Sequence, residues 1–542
     1  MATGFGPAAI AAEPPALRTG ECGSCQSPPV PGANLPQTPA PRADAAPKFR
    51  LTDVRFNGAA AIEPERLRNL ARPYIGREVS LAELQALAQA VQAEYRARGY
   101  FLAQALVPVQ TVQNGVVEIS VIEGRLGRIT SEVAPDAPIS EARVAAFLKP
   151  LEAGRAVNAP DYERAMLLLS DQPGIRVTSG LQQGLEVGTT DLSVEVAPAN
   201  RWQFTAEADN HGTKESGRYR FGGTARWLSP LGIGDNLDLR VLLSNSNALQ
   251  FGRLAYEAPI GGNGLRAGIA ASRVRYELGG QFEALGAQGR ADVLDLSLNY
   301  PLIRQRSENL FLRLGAQVKN LTDELQALNF SSDKRTRGVS LGWAWERRDA
   351  WLGGGYLASS GTLYWGNLSI RDEASRDADG GAGGRGTAGG FAKLGFQLSR
   401  LQAIKGSHSL YLALTGQLAS KNLDASEKVA LGGSRAVRAY PTSEVLVDQG
   451  VIGAVEWRWA VTPELTPFVF YDAAHGRIVR NPLATDSGNS RNLRGAGLGV
   501  SWSRPRNFSI GATLAWRAGT SAAVTDGGGR NPRLYVQLQK VF

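Results

Sequence analysis

From Arg201 to Phe542 apolar and polar residues alternate along short segments, and this period of two predicts strands with one wet and one apolar face. In Asn236–Leu243 the residues Leu237, Leu239, Val241 and Leu243 share a face, with Asp238 and Arg240 on the other. Ala291–Tyr300 sets Leu294, Leu296, Leu298 and Tyr300 against Asp295, Ser297 and Asn299. In Val451–Val461, Val451, Val455, Trp457, Trp459 and Val461 oppose Glu456 and Arg458, and the two tryptophans suit an aromatic girdle at a membrane interface. No stretch approaches the roughly 18 consecutive apolar residues of a membrane helix. A chain that spans a bilayer with such strands must close its sheet, because lipid offers no partner to an open edge.

The spacing predicts sixteen strands, the first near 201–211 and the last near 533–542. Five connections are short: Leu231–Asp235, Gly261–Leu265, Lys405–Ser407, Thr462–Glu464 and Pro505–Arg506. Those between them are mostly long: Gly279–Arg290, Ser369–Ala388, Lys421–Gln449, Ile478–Arg491 and Thr520–Pro532, with Asn247-Ala248 a short exception. Brief periplasmic turns alternating with longer external loops fit an outer-membrane barrel of even strand count, and Phe542 supplies the terminal aromatic expected of a barrel-assembly signal.

Ahead of the barrel the pattern changes. Phe49–Gly58 reads as a strand, Ile62–Ile75 and Ser80–Ala97 as helices, and Gln104–Gln110 and Val116–Glu123 as strands. Ser80 and Glu83 form a capping box, Leu84, Leu87, Ala88 and Val91 an apolar stripe, and Gly99 a stop. The same order recurs in a strand at Gly127–Val133, helices at Glu141–Leu151 and Asp161–Ser170, and strands at Arg176–Gln182 and Thr190–Val196. The fold class is therefore mainly β, a 16-stranded transmembrane β-barrel preceded by two α/β modules, with boundaries at 1–48, 49–124, 125–198 and 199–542.

Composition adds little to this. The 542 residues are 43% hydrophobic, with 63 glycines and a formal net charge of +9. Its arginines and lysines are scattered rather than gathered in a basic arm, so no nucleic-acid partner is expected. No Ser-His-Asp arrangement, phosphate-binding glycine loop or supported carboxylate pair points to an enzyme, and no cofactor is expected. Cys22 and Cys25 are the only cysteines. A zinc site would need two further ligands, and His211, His408 and His475 fall in expected barrel strands, so no metal is assigned. A local disulfide, or loss with a cleaved leader, is the ordinary reading of the pair. Pro28, Pro29, Pro31, Pro36, Pro39, Pro41 and Pro47 mark an extended linker, and Ala8-Ala9-Ile10-Ala11-Ala12 resembles the remnant of an export signal.

Two such modules before a sixteen-strand barrel resemble the two-partner secretion transporters, in which POTRA domains precede a barrel. Local marks are Tyr95–Tyr100 (Tyr-Arg-Ala-Arg-Gly-Tyr), Val121–Gly127 (Val-Ile-Glu-Gly-Arg-Leu-Gly), Ser229–Asp235 (Ser-Pro-Leu-Gly-Ile-Gly-Asp) and Leu431–Pro441. The last holds Val437-Arg438-Ala439-Tyr440, which is similar to the family's Val-Arg-Gly-Tyr motif at the tip of the sixth external loop. The resemblance implies that this tip folds into the lumen. It also implies a partner for Arg438 in a Phe-x-Asp motif on strand thirteen, here Phe470-Tyr471-Asp472. Ala439 departs from the motif's glycine, so a positive φ there would strain the tip. The family often threads an N-terminal helix through the barrel, but Gly4–Gly23 has poor helical character.

The resemblance further implies an outer-membrane pore that exports a large unfolded exoprotein, captured through its N-terminal secretion domain by the periplasmic modules, without nucleotide. Outer-membrane lipid and the barrel-assembly machinery are the other expected partners. An assembly or insertion factor for other barrels is the alternative, for which more than two modules are expected; a diffusion porin would carry none.

Overall fold

The computed structural model describes residues 47–526 and 530–542. The leader remnant, most of the Pro-rich linker, the plug segment and Cys22 and Cys25 lie outside the described residues. Residues 47–199 form one compact unit with 261–263, and the barrel forms the other.

Sixteen strands close into one antiparallel barrel, from Trp202–Asp209 through to Arg533–Val541. Leu237, Leu239, Val241 and Leu243 point outward, opposite Asp238 and Arg240, as alternation requires. Trp202 stacks on Trp227 at 5.0 Å between centroids, and Trp457, Trp459 and Trp502 stand exposed on the outer wall. The closing seam between the last and first strands holds only the register Gln537–Asp209 to Val541–Thr205. There the Phe542 N–H donates to the Phe204 carbonyl at 2.9 Å.

The strands match the expected positions with two kinds of difference. The first ends at Asp209, which leaves His211 in a connection. The sixth and eighth strands, which the alternation predicts near 291–303 and 336–349, run over Ala287–Arg304 and Phe330–Asp349 and so begin earlier. Ser331–Arg335 is polar on both faces because it rises clear of the apolar band, where alternation carries no signal.

In the N-terminal unit two three-stranded sheets share one topology. Asp53–Asn57 runs parallel to Val116–Ile122, which pairs antiparallel with Gln104–Leu106. Arg125–Val133 runs parallel to Thr189–Pro198, which pairs antiparallel with Ile175–Gln183. Helices Pro64–Ala71 and Leu81–Ala97 cover the first sheet with Leu67, Leu84, Leu87 and Val91 buried. Glu141–Leu148 and Ala159–Ser170 cover the second, burying Val144, Phe147 and Leu169. Each such side chain contributes about 1.5–3 kcal/mol of burial. Proline explains the trimmed ends: Pro73 and Pro150 have no N–H to carry the helical ladder past Arg72 and Lys149, and Pro108 has none for the strand ladder beyond Leu106.

The capping box is present. The Ser80 amide donates to Glu83 Oε2 at 2.8 Å while Ser80 Oγ accepts from the Glu83 amide at 3.4 Å. The Ser80 amide and hydroxyl, the latter at 3.1 Å, both donate to this carboxyl and hold it below its ordinary value. Their contribution is complete above the usual carboxylate range and is lost as pH falls through the lowered value. Gly99, at φ 92°, carries the chain out of the helix through backbone that side chains disfavour.

Two of the sequence marks meet in this module's core. Glu123 is 5% exposed and accepts from Tyr95 Oη at 2.9 Å and from the amides of Ala60 and Ala61, each at 2.6 Å. Burial and the Glu123 carboxylate push the Tyr95 phenol well above its ordinary range. Glu123→Ala strands one hydroxyl and two amides, and is expected to cost the module about 2–4 kcal/mol. Hydrogen exchange across residues 53–122 of the full-length protein measures this; unchanged protection would contradict the assignment.

Candidate functional site

The connection between the eleventh and twelfth barrel strands, His408–Ala419 and Gln449–Trp459, folds on itself before it folds on the wall. Its stem is a short antiparallel pair, Val429–Ala430 with Leu446–Val447. Leu431, Val437, Ala439, Tyr440 and Val447 at this stem and tip are buried together with Ile452, Phe470, Leu493 and Ala515 of the inner wall. An apolar cluster thus seats the loop, and polar contacts fix its position.

Arg438 lies at the centre. The thirteenth strand, Leu465–Arg477, presents Phe470 and Asp472 on one face because they are two residues apart. Arg438 Nε donates to Asp472 Oδ2 at 2.9 Å and Nη2 to Oδ1 at 2.7 Å, a bidentate fork, and the Arg438 amide adds a third bond at 3.0 Å. The guanidinium lies 3.5 Å from the Phe470 ring centroid, so the motif's aromatic supplies a stacking face and its carboxylate the charge. Asp472 is fully buried and Arg438 is 8% exposed.

Pairing by motif missed the third and fourth members of this network. Arg438 Nη1 donates to Glu456 Oε1 at 2.6 Å, and Arg458 reaches Glu456 Oε2 at 2.6 Å while lying 4.3 Å from the Tyr411 ring centroid. Two guanidinium groups and two carboxylates therefore balance. The alternation that points Glu456 and Arg458 inward was visible in the sequence, but the register Glu456–Phe470 that brings them to Arg438 is a tertiary fact.

Ala439 keeps a negative φ; the left-handed residues of this loop are Ser443, Val445 and Gly433. The expected strain is absent for that reason. Its methyl instead packs over Gly495 of the fourteenth strand, where an added Cβ would come within 2.6 Å of the Ala439 Cβ. Tyr440 is fully buried, with its hydroxyl on the Ser521 carbonyl at 2.8 Å and its own carbonyl accepting from Tyr535 at 2.7 Å. Glu444 accepts from the amides of Val524 and Thr525 at 2.8 and 3.0 Å.

The loop's other limb is fastened to a different arc of the wall. Glu427, 4% exposed, accepts from Lys319 of the seventh strand at 2.7 Å and pairs with Lys393 of the tenth at 2.8 Å. Asp424 pairs with Lys334 of the eighth strand at 2.9 Å. The sequence signal for these pairs is only an inward-parity lysine on each strand, which names no partner. The Ser229–Asp235 mark is a tight turn in which Asp235 is buried, accepting from Tyr256 Oη at 3.0 Å, and Ser229 Oγ accepts from the Gly234 amide at 3.0 Å.

The contact of Ala439 with Gly495 has a direct test. Gly495→Ala overpacks the tip, at an expected cost of about 1–3 kcal/mol in the seating of the loop. Ala439→Gly in the same chain is expected to restore it. Cleavage of the sixth loop by external trypsin reports the seating; equal resistance in the wild type and Gly495→Ala would contradict this packing.

The fold and the sequence both have known counterparts. Residues 188–502 match the family described as haemolysin secretion/activation protein ShlB/FhaC/HecB, and residues 49–124 match the POTRA domain, ShlB-type. The chain is 28% identical over 490 residues to heme/hemopexin transporter protein HuxB of Haemophilus influenzae (strain 86-028NP), covering 86% of this chain and 83% of that protein. It is 24% identical over 498 residues to outer membrane transporter CdiB of Dickeya dadantii (strain 3937), covering 89% and 86%. Among solved structures, CdiB from Escherichia coli superposes with a TM-score of 0.74 at 20% identity, over 94% of this chain and 93% of that one. The family match spans more than half of the residues, and the closed barrel with its POTRA region agrees with it. The chain belongs to the ShlB/FhaC/HecB family of haemolysin secretion/activation proteins: it is a two-partner secretion pore of the outer membrane, with its POTRA region in the periplasm.

Proposed function

We propose that the two N-terminal modules, residues 49–124 and 125–198, capture the N-terminal secretion domain of a large exoprotein by strand addition, and that the sixth loop governs the lumen through which the cargo then passes. The supporting observation for capture is the edge of the first sheet. Gln104–Leu106 pairs on one side only, with Val116–Ile122, and Leu106 and Val109 beside it are exposed apolar residues. An open edge with apolar neighbours offers backbone bonds for affinity and side-chain contacts for specificity. For the lumen, the support is the pattern of anchors: the loop is held to strands seven, eight and ten by Glu427 and Asp424, and to strand thirteen by Arg438.

In this reading the partner arrives unfolded and no nucleotide is consumed. Folding of the exoprotein outside biases its movement outward. Phe542, whose amide closes onto the first strand, serves as the recognition signal for the barrel-assembly machinery, and lipid surrounds the outer wall. No step calls for an enzyme, so no catalytic residue is assigned.

Deleting residues 49–124 is expected to leave a heat-modifiable barrel in the membrane and to abolish export. Leu106→Asp combined with Val109→Asp is expected to lower export at least tenfold in an otherwise intact chain. Normal secretion by the deletion variant would refute the capture role.

A further inference from the structure

The outer wall of barrel strands six to nine carries a feature that export does not use. Outward-facing neighbours in register are Leu296 with Ala316, Leu294 with Val318, Ala316 with Val339, and Val339 with Trp365. Ala316 is the smallest of these, and around it the wall forms a groove of about 480 Å³ lined by Leu294, Leu296, Val318, Val339 and Trp365, with Arg337 on its border. Arg337 lies toward the extracellular ends of these strands, the side that bears the long connections.

Two residues further out on the same face is Arg335. Arg371 follows the ninth strand, and its amide donates to the Asp333 carbonyl at 2.8 Å, which sets it opposite Asp333 and diagonal to Arg335, whose own partner is Ser369. The charges of Arg337 and Arg371 both act on Arg335. Like charges at this spacing repel, and a fold tolerates them where an anion neutralises them. The nearby carboxylates make their hydrogen bonds and ion pairs to other groups. Asp333 accepts from the Thr322 hydroxyl at 2.8 Å, Asp372 from the amides of Asp333 and Ser375 at 3.0 and 2.7 Å, and Asp292 pairs with Arg273 and Arg290 at 2.5 and 3.2 Å. Among the described residues, Arg335, Arg337 and Arg371 make no ion pair, and Arg335 donates only to Asn320 Oδ1 at 2.6 Å.

An apolar groove bordered by Arg337, with the guanidinium groups of Arg335 and Arg371 beyond it toward the extracellular side and no ion pair on any of the three among the described residues, fits one chemistry. We propose that this face binds a phosphorylated glycolipid of the outer leaflet, with an acyl chain over Ala316 and a phosphate held by Arg335, Arg337 and Arg371. Guanidinium groups bind phosphate bidentately, and the groove supplies a selectivity for the chain that a free anion cannot use. The site is separate from the lumenal network, so it is expected to anchor and orient the barrel rather than to carry cargo.

Native mass spectrometry of the full-length protein in detergent tests this. Bis-phosphorylated lipid A, the same lipid after phosphatase treatment, phosphatidylglycerol and inorganic phosphate are compared. The protein is expected to retain one lipid A, with at least tenfold weaker retention once the phosphates are removed and no displacement by millimolar inorganic phosphate. The triple variant Arg335→Gln, Arg337→Gln, Arg371→Gln and the groove-filling variant Ala316→Trp are each expected to lose at least tenfold in retention while remaining heat-modifiable. Equal retention across all lipids and both variants would mean an annular shell only and overturn the proposal. Preference for phosphatidylglycerol, or displacement by phosphate alone, would overturn it as well.

Discussion

The arrangement of the lumen depends on burying the Arg438 guanidinium, a charge that cannot be given up. An arginine taken out of water costs several kcal/mol unless every donor finds an acceptor and a counter-charge lies in contact. This one receives a bidentate carboxylate from Asp472, a second carboxylate from Glu456 and an aromatic face from Phe470. Asp472 and Glu456 sit on adjacent strands, so the position of a loop tip becomes a function of barrel register. A slip of one residue between strands twelve and thirteen would turn these groups outward and leave the guanidinium without partners.

From that constraint the rest follows in order. The tip must enter far enough for Val437, Ala439 and Tyr440 to join the apolar cluster on the inner wall, and Gly495 must lack a side chain to admit the Ala439 methyl. The opposite limb meets a separate set of strands through Lys319, Lys393 and Lys334. Each anchor removes a buried carboxylate's cost only while the loop stays in place, so the loop is held by several ion pairs that all break on displacement. Under the proposed function the loop is the barrier to an extended chain, and a fastening of this kind would release it as one body.

The barrel was legible in the sequence because lipid and water impose opposite polarities on adjacent residues, and Leu237 to Val241 repeat that contrast at every step. Where the wall leaves the membrane the contrast disappears, which is why the polar start of the eighth strand read as a connection. The helices of the N-terminal unit were placed to within a few residues, and prolines at 73, 108 and 150 account for the ends that were too long. In the candidate site, Arg438, Phe470 and Asp472 came from a motif, whereas Glu456, Glu427 and Lys319 did not. Their inward direction follows from parity, but which inward charge meets which depends on loop path and strand register, and a single chain of residues does not encode those locally.

A thermodynamic cycle on Arg438 and Asp472 tests the account's central claim most directly. Export and single-channel conductance would be measured for Arg438→Ala, Asp472→Ala and the double variant in full-length protein, with heat-modifiability as the control for folding. Breaking either side leaves a buried charge short of its partner, at a cost of about 3–5 kcal/mol. The account expects Arg438→Ala to be the more harmful single change, because it strands both Asp472 and Glu456, and it expects the double variant to be no worse than Arg438→Ala alone. Independent losses that multiply in the double variant would show that the two groups do not act through one contact, and the loop would have to be held by something else.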